Sequence, residues 1–131
     1  MESDSEVIVI PPAPKTVRGY PSSIDVTQDY LLCFNGNSVV LQPHKAHHQS
    51  LTLSHASDVV AAKISQDGIF LASIDVKGTL IISEICPGRI IEVYKYEGVF
   101  PNAKDIGWSA DRKKVCIVGE GKKIFAKVIS I

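Results

Sequence analysis

The feature that most limits what this chain can become is a cadence that returns about every 40 residues: an apolar stretch, a polar turn built on a hydroxyl residue and an aspartate, and a second apolar stretch. Residues 60–76 read VAAKISQDGIFLASIDV and residues 104–121 read KDIGWSADRKKVCIVGEG. With Ser65-Gln66-Asp67 laid over Ser109-Ala110-Asp111, Ile64 falls on Trp108, Leu71 on Val115 and Ala72 on Cys116, a shift of about 44 positions. Thr27-Gln28-Asp29 repeats the turn about 38 positions earlier and puts Val26 under Ile64. Several short strands per unit at this period imply propeller blades, units that cannot bury their faces alone and must stack.

Within that frame the pieces are strand-sized. The first unit holds SIDV, YLLCF, SVVLQ and SLTLS, with Asn35-Gly36-Asn37 supplying the glycine that a tight hairpin favours. In the second, VVAAKIS, IFLASI, TLIISE and RIIEVYK are separated by Gln66-Asp67-Gly68, Lys77-Gly78 and Pro87-Gly88. A third unit has AKDIGWS, KVCIVG and IFAKVISI and no fourth strand. β-Branched residues dominate the apolar positions and no window keeps a helical period, so almost no helix is expected. Ahead of the blades, EVIVI at 6–10 reads as a short strand and PPAPK at 11–15 as a stiff extended spacer. The expected division is therefore an N-terminal strand and proline-rich lead-in over 1–22, and an incomplete propeller over 23–131.

Composition narrows the partners. With 14 basic and 14 acidic residues the formal charge is zero, and no basic block exists to attract nucleic acid or an anionic membrane. The longest apolar runs are far shorter than a bilayer span, and the start MESDSE is acidic where a signal peptide is basic. A cytoplasmic protein is expected. Cys33, Cys86 and Cys116 are odd in number and lack C-x-x-C spacing, and their apolar surroundings predict buried reduced thiols.

The stretches PKTVRG at 14–19, CFNGNSVVL at 33–41, VVAAKISQDGIFLASIDVKGTLIIS at 59–83, YKYEG at 94–98 and KDIGWSADRKKVCIVGEG at 104–121 resemble, in order and spacing, the actin-interacting protein 1 family, WD-repeat cofactors of cofilin. The resemblance implies an all-β, partial WD-repeat β-propeller: two four-stranded blades and most of a third, taken from the start of a protein of two seven-bladed propellers. It implies binding to actin and to cofilin-decorated filaments, promotion of their disassembly, and residence at the actin cytoskeleton, with no enzyme activity and no cofactor. Two departures stand out. Ser83-Glu84 replaces the Trp-Asp pair that ends a blade's third strand, and Lys123 stands where the family carries an acid. The alternative is a divergent propeller fragment with a scaffold role and no actin regulation.

Glu120 and Lys122, in the loop Val118-Gly119-Glu120-Gly121-Lys122, match the family's pattern and are the expected partner-binding residues. This loop is not a phosphate-binding loop, since Cys116 stands where the Walker pattern needs glycine and no helix follows. His44, His47 and His48, with His55 nearby, form a histidine-rich connection, but no cysteine or carboxylate at tetrahedral spacing completes a metal site. No metal is expected. Trp108 is read as packing between blades, and Ser, His and Asp show no arrangement that sequence could identify as a triad. The strand IFAKVISI has one charge and no proline, and predicts self-association through an open edge.

Overall fold

The computed structural model describes residues 24–27, 29–44, 49–120 and 124–130. Eleven strands run through them: β1 (Ile24–Val26), β2 (Tyr30–Asn35), β3 (Ser38–Pro43), β4 (Leu51–Ser54), β5 (Val59–Ile64), β6 (Phe70–Asp75), β7 (Leu80–Cys86), β8 (Arg89–Tyr96), β9 (Ala103–Trp108), β10 (Lys114–Glu120) and β11 (Ile124–Ser130). They form three antiparallel meanders, ordered β1-β2-β3-β4, β5-β6-β7-β8 and β11-β10-β9. No helix occurs among the described residues. Strand positions follow the sequence pattern closely, whereas the predicted strand at 6–10 and the spacer at 11–15 lie outside the described residues.

The hydroxyl-aspartate turns are cages that the sequence builds for itself. In the second blade the Ser65 hydroxyl donates to Asp67 Oδ1 at 2.6 Å and accepts the Phe70 N–H at 3.0 Å, while the Ile69 N–H also donates to Asp67 Oδ1 at 3.0 Å. Ser109 and Asp111 do the same in the third blade, with the Lys114 N–H on the serine and the Lys113 N–H on the aspartate. The first blade keeps only the hydroxyl half, the Tyr30 N–H donating to Thr27 Oγ1 at 3.1 Å. A side-chain oxygen that accepts its own turn's amides replaces bonds a continuing strand would make, which ends one strand and starts the next.

Two apolar clusters lie between the three sheets. Leu32, Phe34, Val39 and Leu41 of the first blade meet Val59, Ala62, Ile64 and Leu71 of the second. The second blade's other side, Val60, Ala61, Ala72, Ile74, Leu80 and Ile82, meets Phe100, Ala103, Ile106, Val115 and Ile117. A register shift between Val59 and Ala61 lets Val59 and Ala62 serve one cluster while Val60 and Ala61 serve the other. The inner strands β5, β6 and β7 of the second blade are thus largely buried on both faces, whereas its outer strand β8 is mostly exposed. On β10 burial alternates: Val115, Ile117 and Gly119 are buried, whereas Lys114, Cys116, Val118 and Glu120 are exposed.

That alternation corrects the expectation for the cysteines. All three are free thiols, but only Cys33 is buried, Cys86 is half-buried and Cys116 is exposed. Cys116 sits on the side of β10 on which no described element packs. Burial pushes the Cys33 thiol above its ordinary value.

Trp108 joins the second and third blades, as expected of a packing residue, and also uses its polar edge. The indole Nε1–H donates to the Lys63 carbonyl at 2.9 Å, and the ring lies 6.2 Å from Phe70. Arg112 closes the same junction, with Nη1 2.8 Å from Asp67 Oδ2 and the guanidinium 5.8 Å from the Phe70 ring centre.

Candidate interaction surface

An antiparallel meander sorts its loops onto two edges. One edge of this molecule carries the hairpins between second and third strands (β2–β3, β6–β7, β10–β11) together with the connections that lead into the next blade. The other carries the caged turns. On the first edge the β2–β3 and β6–β7 hairpins each clasp a connection: Val59 N–H donates to the Gly36 carbonyl at 2.8 Å, His55 N–H to the Asn37 carbonyl at 2.7 Å, and Phe100 N–H to the Gly78 carbonyl at 3.0 Å. Val76 N–H reaches the Asp58 carbonyl at 2.8 Å, and at the matching place in the next unit Glu120 N–H reaches the Asn102 carbonyl at 3.1 Å. Glu120 therefore stands at the end of β10 with its backbone pinned and its side chain exposed. Lys122 and Lys123 lie outside the described residues.

Gly78 shows how tight the clasp is. Its φ is +84°, and a Cβ built on it would come within 2.3 Å of the Phe100 carbonyl carbon. Glycine is required here both by the left-handed backbone and by the approach of the connection.

Beneath this surface lies a constellation the sequence did not disclose. His55 Nδ1 is 3.1 Å from Asp75 Oδ2, and His55 Nε2 is 2.7 Å from the Ser73 hydroxyl. Asp75 Oδ1 accepts the N–H groups of Lys77 and Thr79, each at 3.0 Å, which shapes the β6–β7 hairpin. With the carboxylate accepting at both oxygens, Nδ1 carries the imidazole proton and Nε2 accepts from Ser73. Burial holds the His55 pKa below its ordinary value; the hydrogen bond and charge of Asp75 oppose this, and the fields of Lys95 and Glu92 act in opposite directions.

This is the connectivity of a nucleophilic triad without its access. His55 is 4% exposed, Ser73 0% and Asp75 1%, so no substrate reaches the serine oxygen. The chain of bonds is a structural strut that ties the first connection to the second blade. Ser83 lies on the same face of that sheet as Ser73, through the Ser73↔Ile81 and Leu71↔Ser83 pairs, and its buried hydroxyl has no partner among the described residues.

The histidine-rich connection divides. His44 Nε2 lies 2.8 Å from the Thr27 carbonyl at an exposed position, His47 and His48 lie outside the described residues, and His55 belongs to the strut. Among the described residues no group of three or more His, Cys, Asp or Glu is placed to hold a metal ion. A recess of about 390 Å³ opens beside Trp108, lined also by Asp25, Lys63, Gln66 and Ser109. No helix of the described residues is long and apolar enough to cross a membrane.

No family model matches the chain. It is 33% identical over 121 residues to WD repeat-containing protein 1 of Rattus norvegicus, covering 88% of this chain and 20% of that protein. It is 34% identical over 124 residues to the 66 kDa stress protein of Physarum polycephalum, covering 90% of this chain and 20% of that one. Among solved structures, the C-terminal WD40 domain of Sif2 superposes with a TM-score of 0.66 at 20% identity, over 84% of this chain and 34% of that chain. The chain spans about a fifth of the length of these sequence relatives. Antiparallel meanders, two of four strands and one of three, repeated turn cages and sequence relatives that include a WD repeat-containing protein together make this chain a run of WD-repeat β-propeller blades.

Proposed function

We propose that this chain is a non-enzymatic interaction module that binds actin filaments decorated with cofilin and promotes their disassembly, through the surface formed by its hairpins and connections. The actin and cofilin identity comes from the resemblance carried by NGNSVV, LASIDVKG and VGEG. The observation that supports this surface is Glu120: its backbone is fixed on Asn102 while its carboxylate is exposed, so the charge is presented from a rigid base. Lys122 is the second contact residue proposed, from sequence alone.

Co-sedimentation with cofilin-decorated and with bare filaments tests the reading. Binding that needs cofilin and weakens in Glu120→Lys and Lys122→Glu supports it. No sedimentation in either case would leave the scaffold alternative, for which the orphaned Ser83 hydroxyl is the supporting observation.

A further inference from the structure

The clasp between the β6–β7 hairpin and the β8–β9 connection leaves apolar side chains in solvent. Val76 is 45% exposed and Val99 48%, and Pro101 is exposed as well. All three flank one contact. Gly78, two residues after Val76, lies against the peptide bond that joins Phe100 to Pro101, so close that a Cβ on it would fall 2.3 Å from the Phe100 carbonyl carbon and 2.4 Å from the Pro101 nitrogen.

The backbone holds both valines in place. Val76 N–H is fixed on the Asp58 carbonyl at 2.8 Å, and the next amide, Lys77 N–H, on Asp75 Oδ1 at 3.0 Å. Val99 stands between two tied amides, Gly98 N–H on Thr79 Oγ1 at 3.2 Å and Phe100 N–H on the Gly78 carbonyl at 3.0 Å. Phe100 is buried and anchors the connection, and Asn102, a non-glycine residue at φ 64°, gives its carbonyl to the Glu120 N–H. An apolar side chain on a fixed backbone has little freedom left to lose when a partner covers it.

The repeat sets these positions apart from packing residues. Val99 stands where the preceding unit has the buried His55, and Val76 stands where the following unit has Glu120, exposed and pinned by the equivalent bond. Val76, Val99 and Glu120 thus lie on one edge. Around them the loops expose the carboxylates of Asp58 and Glu97, the latter paired with Lys95 at 3.3 Å, and the ammonium of Lys77.

We infer that Val76 and Val99 form the apolar centre of the partner-binding surface, and that the protein surface they meet is an apolar recess bordered by basic side chains. The inference rests on the reading that this edge meets cofilin-decorated filaments. Glu120 and Asp58 select the basic border, and the apolar centre supplies affinity that salt does not screen.

Co-sedimentation of the chain with cofilin-decorated filaments, at low and high salt, tests it with Val76→Ser, Val99→Ser and Glu120→Lys. Both valines are already half in solvent, so serine leaves the cores intact, which circular dichroism verifies. Covering the exposed half of a valine is worth a factor of about five in affinity, so each serine variant is expected to bind about fivefold more weakly at both salt concentrations. The loss in Glu120→Lys is expected to shrink as salt rises. Ile69→Ser, at an exposed apolar residue on the turn edge, is expected to bind like the parent; an equal loss there overturns the assignment to Val76 and Val99. Binding that Glu120→Lys weakens and neither valine substitution changes overturns the apolar centre and leaves the hairpin-edge reading standing. A parent chain that does not sediment overturns both.

Discussion

The buried strut makes the sharpest prediction. Asp75→Ala removes the acceptor for His55 Nδ1–H, Lys77 N–H and Thr79 N–H at once. Lys77 is exposed and Thr79 half-buried, so water can take over part of the two amides, but His55 is buried and its donor is stranded. A hydrogen bond to a charged group is worth about 1.5–3 kcal/mol and a stranded buried donor costs about 1–3 kcal/mol, so a loss of about 3–5 kcal/mol is expected. Against a whole-domain stability of roughly 5–15 kcal/mol this is a large fraction. Asp75→Asn separates the causes. Its amide can donate to Nδ1 if the imidazole proton moves to Nε2 and is given to Ser73, so Asn is expected to cost about 1–2 kcal/mol. Urea unfolding followed by fluorescence of Trp108, the one tryptophan in the chain, reads both. Asp75→Ala within about 0.5 kcal/mol of the parent would refute the strut, because surface changes away from such features fall in that range.

Four further outcomes are expected, three from the structure and one, at Lys123, from the sequence resemblance alone. Because the folded pKa of His55 lies below its ordinary value of about 6.5, the unfolded chain binds the extra proton first. Its contribution to stability is full above that pH and is lost as pH falls below it, at up to about 1.4 kcal/mol per pH unit. His55→Gln should flatten this part of the stability profile measured by urea unfolding at several pH values. Ser83→Ala removes a buried hydroxyl that has no partner and is expected to be neutral or stabilising by up to about 1 kcal/mol in the same assay. Gly78→Ala meets the Phe100 backbone at a left-handed φ and is expected to cost more than about 3 kcal/mol, whereas Gly36→Ala, at φ 59° in open space, is expected to cost about 1 kcal/mol; thermal melts rank the two. Lys123→Glu, which restores the acid of the resembled family, should raise affinity for cofilin-decorated filaments in co-sedimentation, and an unchanged affinity would remove this loop from the proposed contact.

Strands and turns were legible because their causes are local. A serine and an aspartate two residues apart can close a turn with bonds made inside the turn itself, and the cages at Ser65 and Ser109 have matching bonds at matching distances. The shift of 44 carries through to the clasp, where Val76 on Asp58 becomes Glu120 on Asn102. What escaped was set by distance along the chain. His55 lies 20 residues from Asp75 and 18 from Ser73, in a connection that by itself reads as one more histidine near a histidine-rich loop. The repeat held a clue in its failure, since positions equivalent to His55 and Asp75 in the third blade are Val99 and Gly119. Cys116 was misjudged because an apolar strand does not reveal whether both its faces have neighbours; only the three-dimensional order of sheets does so.

The two junctions between blades are consequently fastened in different ways. At the first, the connection is held on the hairpin edge by the buried strut and by Asn37, whose side-chain amide donates to the His55 carbonyl at 2.9 Å. At the second, Val99 and Gly119 stand at the matching positions; the hairpin edge is held by the Phe100 N–H on the Gly78 carbonyl and the Gly98 N–H on Thr79 Oγ1, and the turn edge by Trp108 on Lys63 and Arg112 on Asp67. The His55–Asp75 contact is buried and therefore little screened by salt, whereas Arg112 and Asp67 are both partly exposed and screened at high ionic strength. The strut, set across a sheet that is apolar on both faces, fixes the hairpin that follows it, and that hairpin receives the connection to the third blade through Gly78. On the proposed partner surface the bonds run in sequence from His55 to Asp75, from Asp75 to the β6–β7 hairpin, and from Gly78 to Phe100, with the Asn102–Glu120 bond two residues further along the same connection.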